Sequence, residues 1–148
     1  MTTRSYSPGD WKISAFGIPA VGIKDGTFLK VTENNPGAKM SAGAGGDVVI
    51  VQMMDRTGKA EVTLQRESPT NAAWSAIYQA WRVARTAAER ALAIGPFHAE
   101  NINSASLGGG TNCVIEKAPD MEGASDNSAC VWTFLIDDVT IFNGGAVI

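Results

Sequence analysis

Within residues 59–67, with the sequence KAEVTLQRE, polar and apolar side chains alternate strictly from Lys59 to Gln65. Ala60, Val62 and Leu64 point to one side of an extended chain, and the polar residues between them point to the other. This period of two is typical of a β-strand, because the faces of a helix repeat every ~3.6 residues. The segment therefore predicts a sheet with one face on a hydrophobic core and the other against water or another chain.

Most of the remaining chain also has strand character, interrupted by turns and loops. The segment VVIVQMM is a mostly apolar run rich in β-branched residues, so we predict a buried strand over residues 48–54. Residues 34–46 before it contain Pro36 and four glycines and are predicted as a long loop. Residues 55–58 are predicted as a hairpin turn. The other predicted strands cover residues 11–16, 27–33, 97–102, 112–118 and 129–142.

One helix is predicted, over about residues 69–93. Ser68 is suited to the N-cap, Pro69 to the first helical position, and a Gly-Pro pair follows residue 94. Apolar side chains recur with a period of ~3.6 residues, so one face should dock on a sheet. The residues predicted to form this docking core are Trp74, Ile77 and Trp81.

Together these elements predict a single domain, residues 1–148, of the mainly β class. The expected architecture is an antiparallel β-sandwich or half-barrel with one flanking helix. No apolar run approaches the ~20 residues needed to span a bilayer, so we predict no membrane insertion. The first residues lack the apolar segment of a signal peptide, which predicts a protein that stays in the cytosol where it is made.

The glycine-rich segment SAGAGG, residues 41–46, does not fit a phosphate-binding loop. In such loops the glycines follow a strand and open a helix, whereas here they precede a predicted strand. A second glycine cluster, within residues 106–112, has the same order. We therefore interpret both as mobile loops between strands and predict no cofactor.

The chain offers little material for catalysis or for metal binding. His98 is its single histidine, and we expect a structural role for it in a strand. Cys113 and Cys130 lack C-x-x-C spacing and are predicted to be small core residues without a disulfide. Asp137 and Asp138 would point to opposite faces of a strand, so they cannot share a proton. We predict no enzyme, no catalytic residue and no metal site.

Charge is distributed unevenly along the sequence. Residues 1–90 carry eleven Lys or Arg against eight acidic residues, a net charge of +3. Residues 91–148 carry one Lys against seven acidic residues, a net charge of −6. An acidic half disfavours tight binding to nucleic acid, but it suits a surface that a polyanion must pass without sticking.

The order of several short motifs resembles the major tail tube protein family of contractile-tailed bacteriophages. A loop ending in GAGGDVV is followed by a D-x-T-G turn, an alternating strand, an S-P-x-N helix start, a K-x-P-D loop and a closing W-T-F strand. The residues that carry this resemblance are Asp55, Thr57, Gly58, Val62, Thr63, Leu64, Ser68, Pro69, Asn71, Lys117, Pro119, Asp120, Trp132, Thr133 and Phe134.

The resemblance implies a structural virion protein with the phage tail tube fold. Six copies would close into a ring, and rings would stack into a hollow tube inside a contractile sheath. The implied partners are further copies of the chain, the tail sheath, baseplate and tail terminator proteins, and the tape measure protein in the lumen. Viral DNA would later pass through the same lumen without tight binding. The tube would be assembled in the host cytoplasm and would belong to the virion tail.

Two groups of residues would then have specific places in the tube. The glycines of residues 34–47 would let that loop adapt to a contact with the next ring; they are Gly37, Gly43, Gly45 and Gly46. A conduit for DNA should present neutral or acidic side chains to its axis. The candidates for lining the lumen are Glu33, Asp47, Glu100 and Glu116, with a solvated or inter-subunit face as the alternative for each.

Three other classes of protein remain as alternatives. The first is a different structural tube protein of a phage or a secretion system. A small ligand-binding β-sandwich would need exposed aromatic residues grouped in a loop, whereas the tryptophans lie in the predicted strands and helix. A cytosolic hydrolase would need a catalytic site that this set of residues does not supply.

Overall fold

The structure is a computed structural model that describes residues 3–145. Within them the chain forms a short 3-10 helix (Pro8–Asp10), ten β-strands and two α-helices. The helices are α1 (Pro69–Val83) and α2 (Ala87–Ala91). The strands are β1 (Trp11–Ala15), β2 (Ile18–Pro19), β3 (Leu29–Glu33), β4 (Ala38–Ala42), β5 (Val48–Gln52), β6 (Gly58–Gln65), β7 (Gly95–Asn101), β8 (Ser106–Lys117), β9 (Ala129–Ile136) and β10 (Thr140–Phe142).

Eight of the described strands form one antiparallel sheet in the order β2–β1–β7–β8–β9–β6–β3, with β10 paired to β8. The sheet curls back on itself, so that β3 at one edge approaches β8 and the segment before β3 approaches β1. A Cβ on Gly108 would lie 3.3 Å from Val31, and the rings of Trp11 and Phe28 are 6.4 Å apart. The predicted antiparallel β fold with a flanking helix is confirmed, in the form of a half-open barrel.

The core lies on the concave side of this sheet, and strand alternation decides which residues enter it. Ala60, Val62 and Leu64 are all 0% exposed, while the residues between them face outward, as the period-two pattern predicts. Phe97 and Phe134 meet at the centre, with ring centroids 5.2 Å apart. Cys113 and Cys130 are buried and free, which confirms the prediction of core thiols.

The first helix covers the aromatic centre of the sheet. Trp74 is fully buried, and its ring makes edge contacts with Trp132 at 5.7 Å and with Phe134 at 5.1 Å. Ile77 packs against the same core and is partly buried. Trp81 is also partly buried, but it lies outside the core cluster. Of the three residues predicted for docking, Trp74 thus lies in the core, Ile77 packs against it and Trp81 lies outside it.

The prediction of one continuous helix over residues 69–93 is wrong. Helix α1 ends at Val83, because Ala84 adopts an extended conformation with ψ 132°. A new N-cap begins directly afterwards: the Thr86 hydroxyl accepts from the Glu89 backbone N–H at 3.2 Å. The Glu89 carboxylate in turn accepts from the Arg85 N–H at 2.8 Å. This reciprocal pair is a capping arrangement, and it starts the separate helix α2.

Three predictions about loops and turns are also wrong. Residues 34–46 contain strand β4, which pairs with β5 from Ala38↔Gln52 to Ala42↔Val48. The glycines near residue 109 lie inside β8, where a Cβ on Gly109 would fall 2.1 Å from the Phe97 carbonyl oxygen. Gly58 is buried in β6 and does not occupy a hairpin turn, since β6 pairs with β3 and β9. Close packing against another backbone explains these last two glycines.

The predicted strand over residues 129–142 is divided in two. Asp137 and Asp138 form a bend between β9 and β10. The side chain of Asp138 contacts Arg56 at 2.7 Å, and the Val139 N–H donates to the Arg56 carbonyl at 2.8 Å. Before this bend, β9 pairs with β6 and with the second half of β8. After the bend, β10 pairs with the first half of β8.

Candidate assembly surfaces

The hairpin of β4 and β5, residues 38–52, stands apart from the main sheet; we call it the arm. In the described chain its strands pair only with each other. The prediction of a buried strand over residues 48–54 is wrong, because all five residues of β5 are exposed. Ile50 is 68% exposed and Met40, its cross-strand partner, is 70% exposed. An isolated two-stranded hairpin is at best marginally stable in water, so an apolar one indicates a contact surface.

Strand β5 places apolar side chains on both faces of the arm, while β4 adds Lys39 and Ser41 to one of them. Met40 and Ile50 lie on one face, and Val49, 59% exposed, lies on the other. A strand that is buried on both faces in an assembly has the same unbroken apolar pattern as a strand in the centre of a domain. The sequence pattern therefore does not distinguish a strand buried in its own domain from one that is exposed in the single chain.

The glycines predicted to form one stacking loop lie at opposite ends of the arm. Gly43, Gly45 and Gly46 form its tip, where the Gly46 N–H donates to the Gly43 carbonyl at 3.0 Å. Gly46 has φ +89°, a conformation that side chains with a Cβ disfavour. Gly37 lies at the base, where its carbonyl accepts from the Met53 N–H at 3.0 Å.

A polar cluster at the base of the arm, which we call the clamp, fixes where the arm leaves the sheet. Asn34 donates through its side chain to the Thr57 hydroxyl at 2.9 Å, and through its backbone N–H to the Thr57 carbonyl at 3.0 Å. The Asp55 carboxylate accepts from the Thr57 N–H at 2.9 Å, from the Thr57 hydroxyl at 2.7 Å and from the Asn35 amide. These donors hold the pKa of Asp55 below its usual value.

A groove of about 580 Å³ adjoins the clamp. Its lining includes the apolar side chains of Ile94, Val114 and Leu135 together with polar ones. Among the polar lining residues, the Asn112 amide donates to the Asp137 carboxylate at 3.1 Å. Burial raises the pKa of the Cys113 thiol in the wall to about 11, so this thiol stays protonated near neutral pH.

The four candidates for lining a lumen do not share one surface. Glu100 and Glu116 alternate with buried residues of β7 and β8, so both side chains leave the outer side of the sheet. Glu33 is in register with Gly58, which places it on the core-facing side of β3 at an exposed strand end. Asp47 lies at the tip of the arm, where its carbonyl accepts from the Gly43 N–H at 2.8 Å.

Two of these carboxylates have charged or titratable neighbours. Glu116 lies 3.4 Å from the Lys59 ammonium, and Glu100 lies 3.5 Å from the His98 ring.

Over residues 3–145 there is no group of three or more His, Cys, Asp or Glu side chains that could hold a metal ion. In the same part of the chain, no helix has the length and apolar character required to cross a membrane.

The family model described as bacteriophage PhiTE tail tube protein matches residues 20–144. This range includes the arm, the clamp and both helices. No curated protein sequence matches the chain significantly.

Three solved structures share the fold. The anti-feeding prophage cap, a tube-terminating cap, aligns with a TM-score of 0.61 at 9% identity, over 97% of this chain and 95% of the other. The sheath/tube terminator of PVC, an extracellular contractile injection system, has a TM-score of 0.60 at 8% identity and coverages of 96% and 99%. A chain of the PVC sheath-tube complex has a TM-score of 0.54 at 8% identity and coverages of 94% and 99%. At such identities the likeness concerns the fold alone.

Proposed function

Because the chain belongs to the bacteriophage PhiTE tail tube protein family, we propose that six copies of it close into a ring and that these rings stack into a hollow inner tail tube. The tube would conduct the viral genome into the host when a contractile tail ejects it. The observation that carries this proposal is the arm, an apolar hairpin that finds no cover within its own described chain.

The open ends of the main sheet support assembly through copies of the same chain. In the described chain β3 ends the sheet on one side and the short strand β2 ends it on the other. Unpaired strand edges promote uncontrolled association unless something covers them. A ring of identical copies covers each edge with a neighbour, because its contacts are head-to-tail and close on themselves.

The arm is proposed to make the contact with the next ring. Its tip carries Gly43, Gly45 and Gly46, and a Cβ on either of the last two would meet no atom within 4 Å. The tip is thus free of its own domain and able to bend against another surface. The clamp at the base would give every arm in a ring the same direction.

For the lumen we propose the outer side of β7 and β8, which carries Glu100 and Glu116. Carboxylates at the axis would keep DNA from binding tightly, since affinity for phosphates comes from Lys and Arg. Glu33 and Asp47 lie on other surfaces, and those surfaces are the alternative candidates for lining the lumen. The tape measure protein would occupy this space before the DNA.

The remaining partners are proposed from the family and the fold. A tail sheath would surround the tube, and baseplate and terminator proteins would contact its two ends. The named solved structures include sheath-tube, terminator and cap components of injection systems. Assembly in the host cytoplasm and incorporation into the virion tail follow from the same proposal.

A second candidate function is a terminator, which would form one ring at the end of a tube. The observation that favours it is the likeness of the fold to a tube-terminating cap and a sheath/tube terminator. It differs from the tube protein in the assembly that it predicts: single rings without stacking. A tube protein would form stacks of rings.

Negative-stain microscopy of the purified protein at high concentration tests both candidates. We expect rings and tubes from the natural chain, and rings without tubes from Met40→Ser combined with Ile50→Ser, which removes the two most exposed apolar side chains from one face of the arm. The melting temperature of this variant should be unchanged, because both side chains are largely exposed. Single rings alone from the natural chain would favour the terminator. A monomer even at millimolar concentration would contradict both functions.

A further inference from the structure

The end of α1 and the helix α2 form a basic and apolar surface, which we call the arginine corner: Arg82, Val83, Arg85, Arg90 and Leu92. Its apolar members are strongly exposed, Val83 at 71% and Leu92 at 86%. None of its three arginines forms an ion pair with any residue in the described range. Glu89 is the one carboxylate among them, and it is engaged as an acceptor for the Arg85 N–H at 2.8 Å.

A surface of opposite charge lies in the connection between β8 and β9, residues 118–128. We call it the acidic loop: Asp120, Met121, Glu122 and Asp126. Met121 is 97% exposed and is flanked by two carboxylates. Within residues 3–145 the one ion pair of this loop joins Asp120 to Lys117 at 3.7 Å, on the exposed surface. Both surfaces thus combine uncompensated charge with a large exposed apolar side chain.

The two surfaces lie at opposite ends of α1. Arg66, just before the helix, donates to the Asp120 carbonyl at 3.3 Å and to the Ser128 hydroxyl at 2.7 Å, which fixes the acidic loop near the helix start. The arginine corner begins at the other end of this helix, which is fifteen residues long. At ~1.5 Å per residue the helix separates them by roughly 22 Å. They are therefore too far apart to neutralise each other within one chain.

Complementary surfaces at two different places on one molecule are what a head-to-tail contact requires. We propose that, within the ring, the arginine corner of one copy packs against the acidic loop of the next copy. Arginines would pair with the carboxylates, and Val83 and Leu92 would cover Met121. This inference rests on the proposed ring, and it assigns the contact around the ring, whereas the arm is assigned to the contact between rings.

Two charge-reversed variants test the pairing. In the first, Arg82→Glu, Arg85→Glu and Arg90→Glu make the corner acidic. In the second, Asp120→Lys, Glu122→Lys and Asp126→Lys make the loop basic. Each variant alone should need a protein concentration higher by about tenfold or more to form rings, because like charges then face each other.

Mixing the two variants in equal amounts should restore the rings. In a ring where copies of the two variants alternate, the acidic corner of the first variant meets the basic loop of the second. The basic corner of the second variant meets the acidic loop of the first. Combining all six substitutions in one chain should restore the rings as well. Arg4→Glu with Lys12→Glu is the control, since it reverses two exposed cations that lie outside both surfaces and outside the edge strands β2 and β3, and it should leave ring formation unchanged.

Ring formation by the natural chain should also weaken between about 0.1 M and about 1 M salt, because salt screens exposed charges. Full ring formation by both single variants would overturn the pairing while leaving the proposed function intact. Failure of both the mixture and the combined variant, or rings of the natural chain that are insensitive to salt, would overturn it too. Absence of rings from the natural chain would instead overturn the proposed function.

Discussion

At the scale of single residues, Trp74 carries the contact between helix and sheet. Trp74→Ala removes a fully buried ring that contacts Trp132 and Phe134, so we expect a loss of ~3–5 kcal/mol in the free energy of unfolding. That is a large share of the ~5–15 kcal/mol typical of a domain. Denaturant unfolding followed by circular dichroism measures it.

The matched control is Trp81→Ala on the same helix. Trp81 is only partly buried and lies outside the core cluster, so we expect a loss of about 1–2 kcal/mol. Equal losses for the two variants would show that the helix docks along its whole length in solution. The order of these two effects could not be predicted from the sequence, because both residues belong to the same apolar stripe.

At the scale of elements, the clamp should make the arm sensitive to acid. The pKa of Asp55 is lowered in the folded chain, first by the Thr57 N–H and then by the Thr57 hydroxyl and the Asn35 amide. The contribution of the clamp is therefore fully present above the usual carboxyl pKa, and it is lost as the pH falls through the lowered value. We expect Thr57→Val, which removes one donor, to raise this pKa.

Titration of the Asp55 carboxyl by NMR measures both values. In Thr57→Val the backbone N–H remains, so the shift should be only partly reversed. A pKa of Asp55 at its usual value in the natural chain would mean that the clamp does not form in solution. A lowered pKa that Thr57→Val leaves unchanged would assign the shift to the remaining donors.

Two of the elements could be predicted from sequence patterns alone. Strand β6 could be predicted because its period of two places Ala60, Val62 and Leu64 on one face. The start of α1 could be predicted from Ser68, whose hydroxyl accepts from the Thr70 N–H at 3.3 Å. The division after Val83 had a sequence signal as well, the capping motif of residues 86–89, but the apolar stripe continues across it.

The arm could not be predicted in the same way. An apolar run has the same sequence pattern whether it is buried in its own domain or covered by another molecule. Only the structure shows that β5 pairs with β4 and is exposed in the single chain. Likewise, acidic composition marks Glu33, Asp47, Glu100 and Glu116 as a set, but the register of the strands divides them among three surfaces.

At the scale of the whole molecule, the lumen assignment predicts an effect on DNA transport. Glu100→Lys combined with Glu116→Lys should slow genome ejection from particles that still assemble, because each new cation is repeated in every ring. Added salt should restore the rate, since phosphate contacts weaken as ionic strength rises. Ejection is measured by release of DNA from purified particles.

The comparison variant is Glu33→Lys combined with Asp47→Lys, which has the same charge change on other surfaces. We expect it to leave ejection unchanged. Slow ejection in this second variant and normal ejection in the first would show that the surface near β3 and the arm lines the lumen. Normal ejection in both would remove all four residues from the lumen.

The unsupported arm also has a consequence for the time course of assembly. A free subunit would hold an apolar hairpin that gains most of its stability only on contact, so the first encounters between subunits would carry the cost of ordering it. Once one ring presents its arms together, each incoming subunit would meet a surface that is already ordered. Growth would then show a lag followed by rapid extension, and an existing end would be favoured over a new start. Few long tubes would result, in place of many short ones.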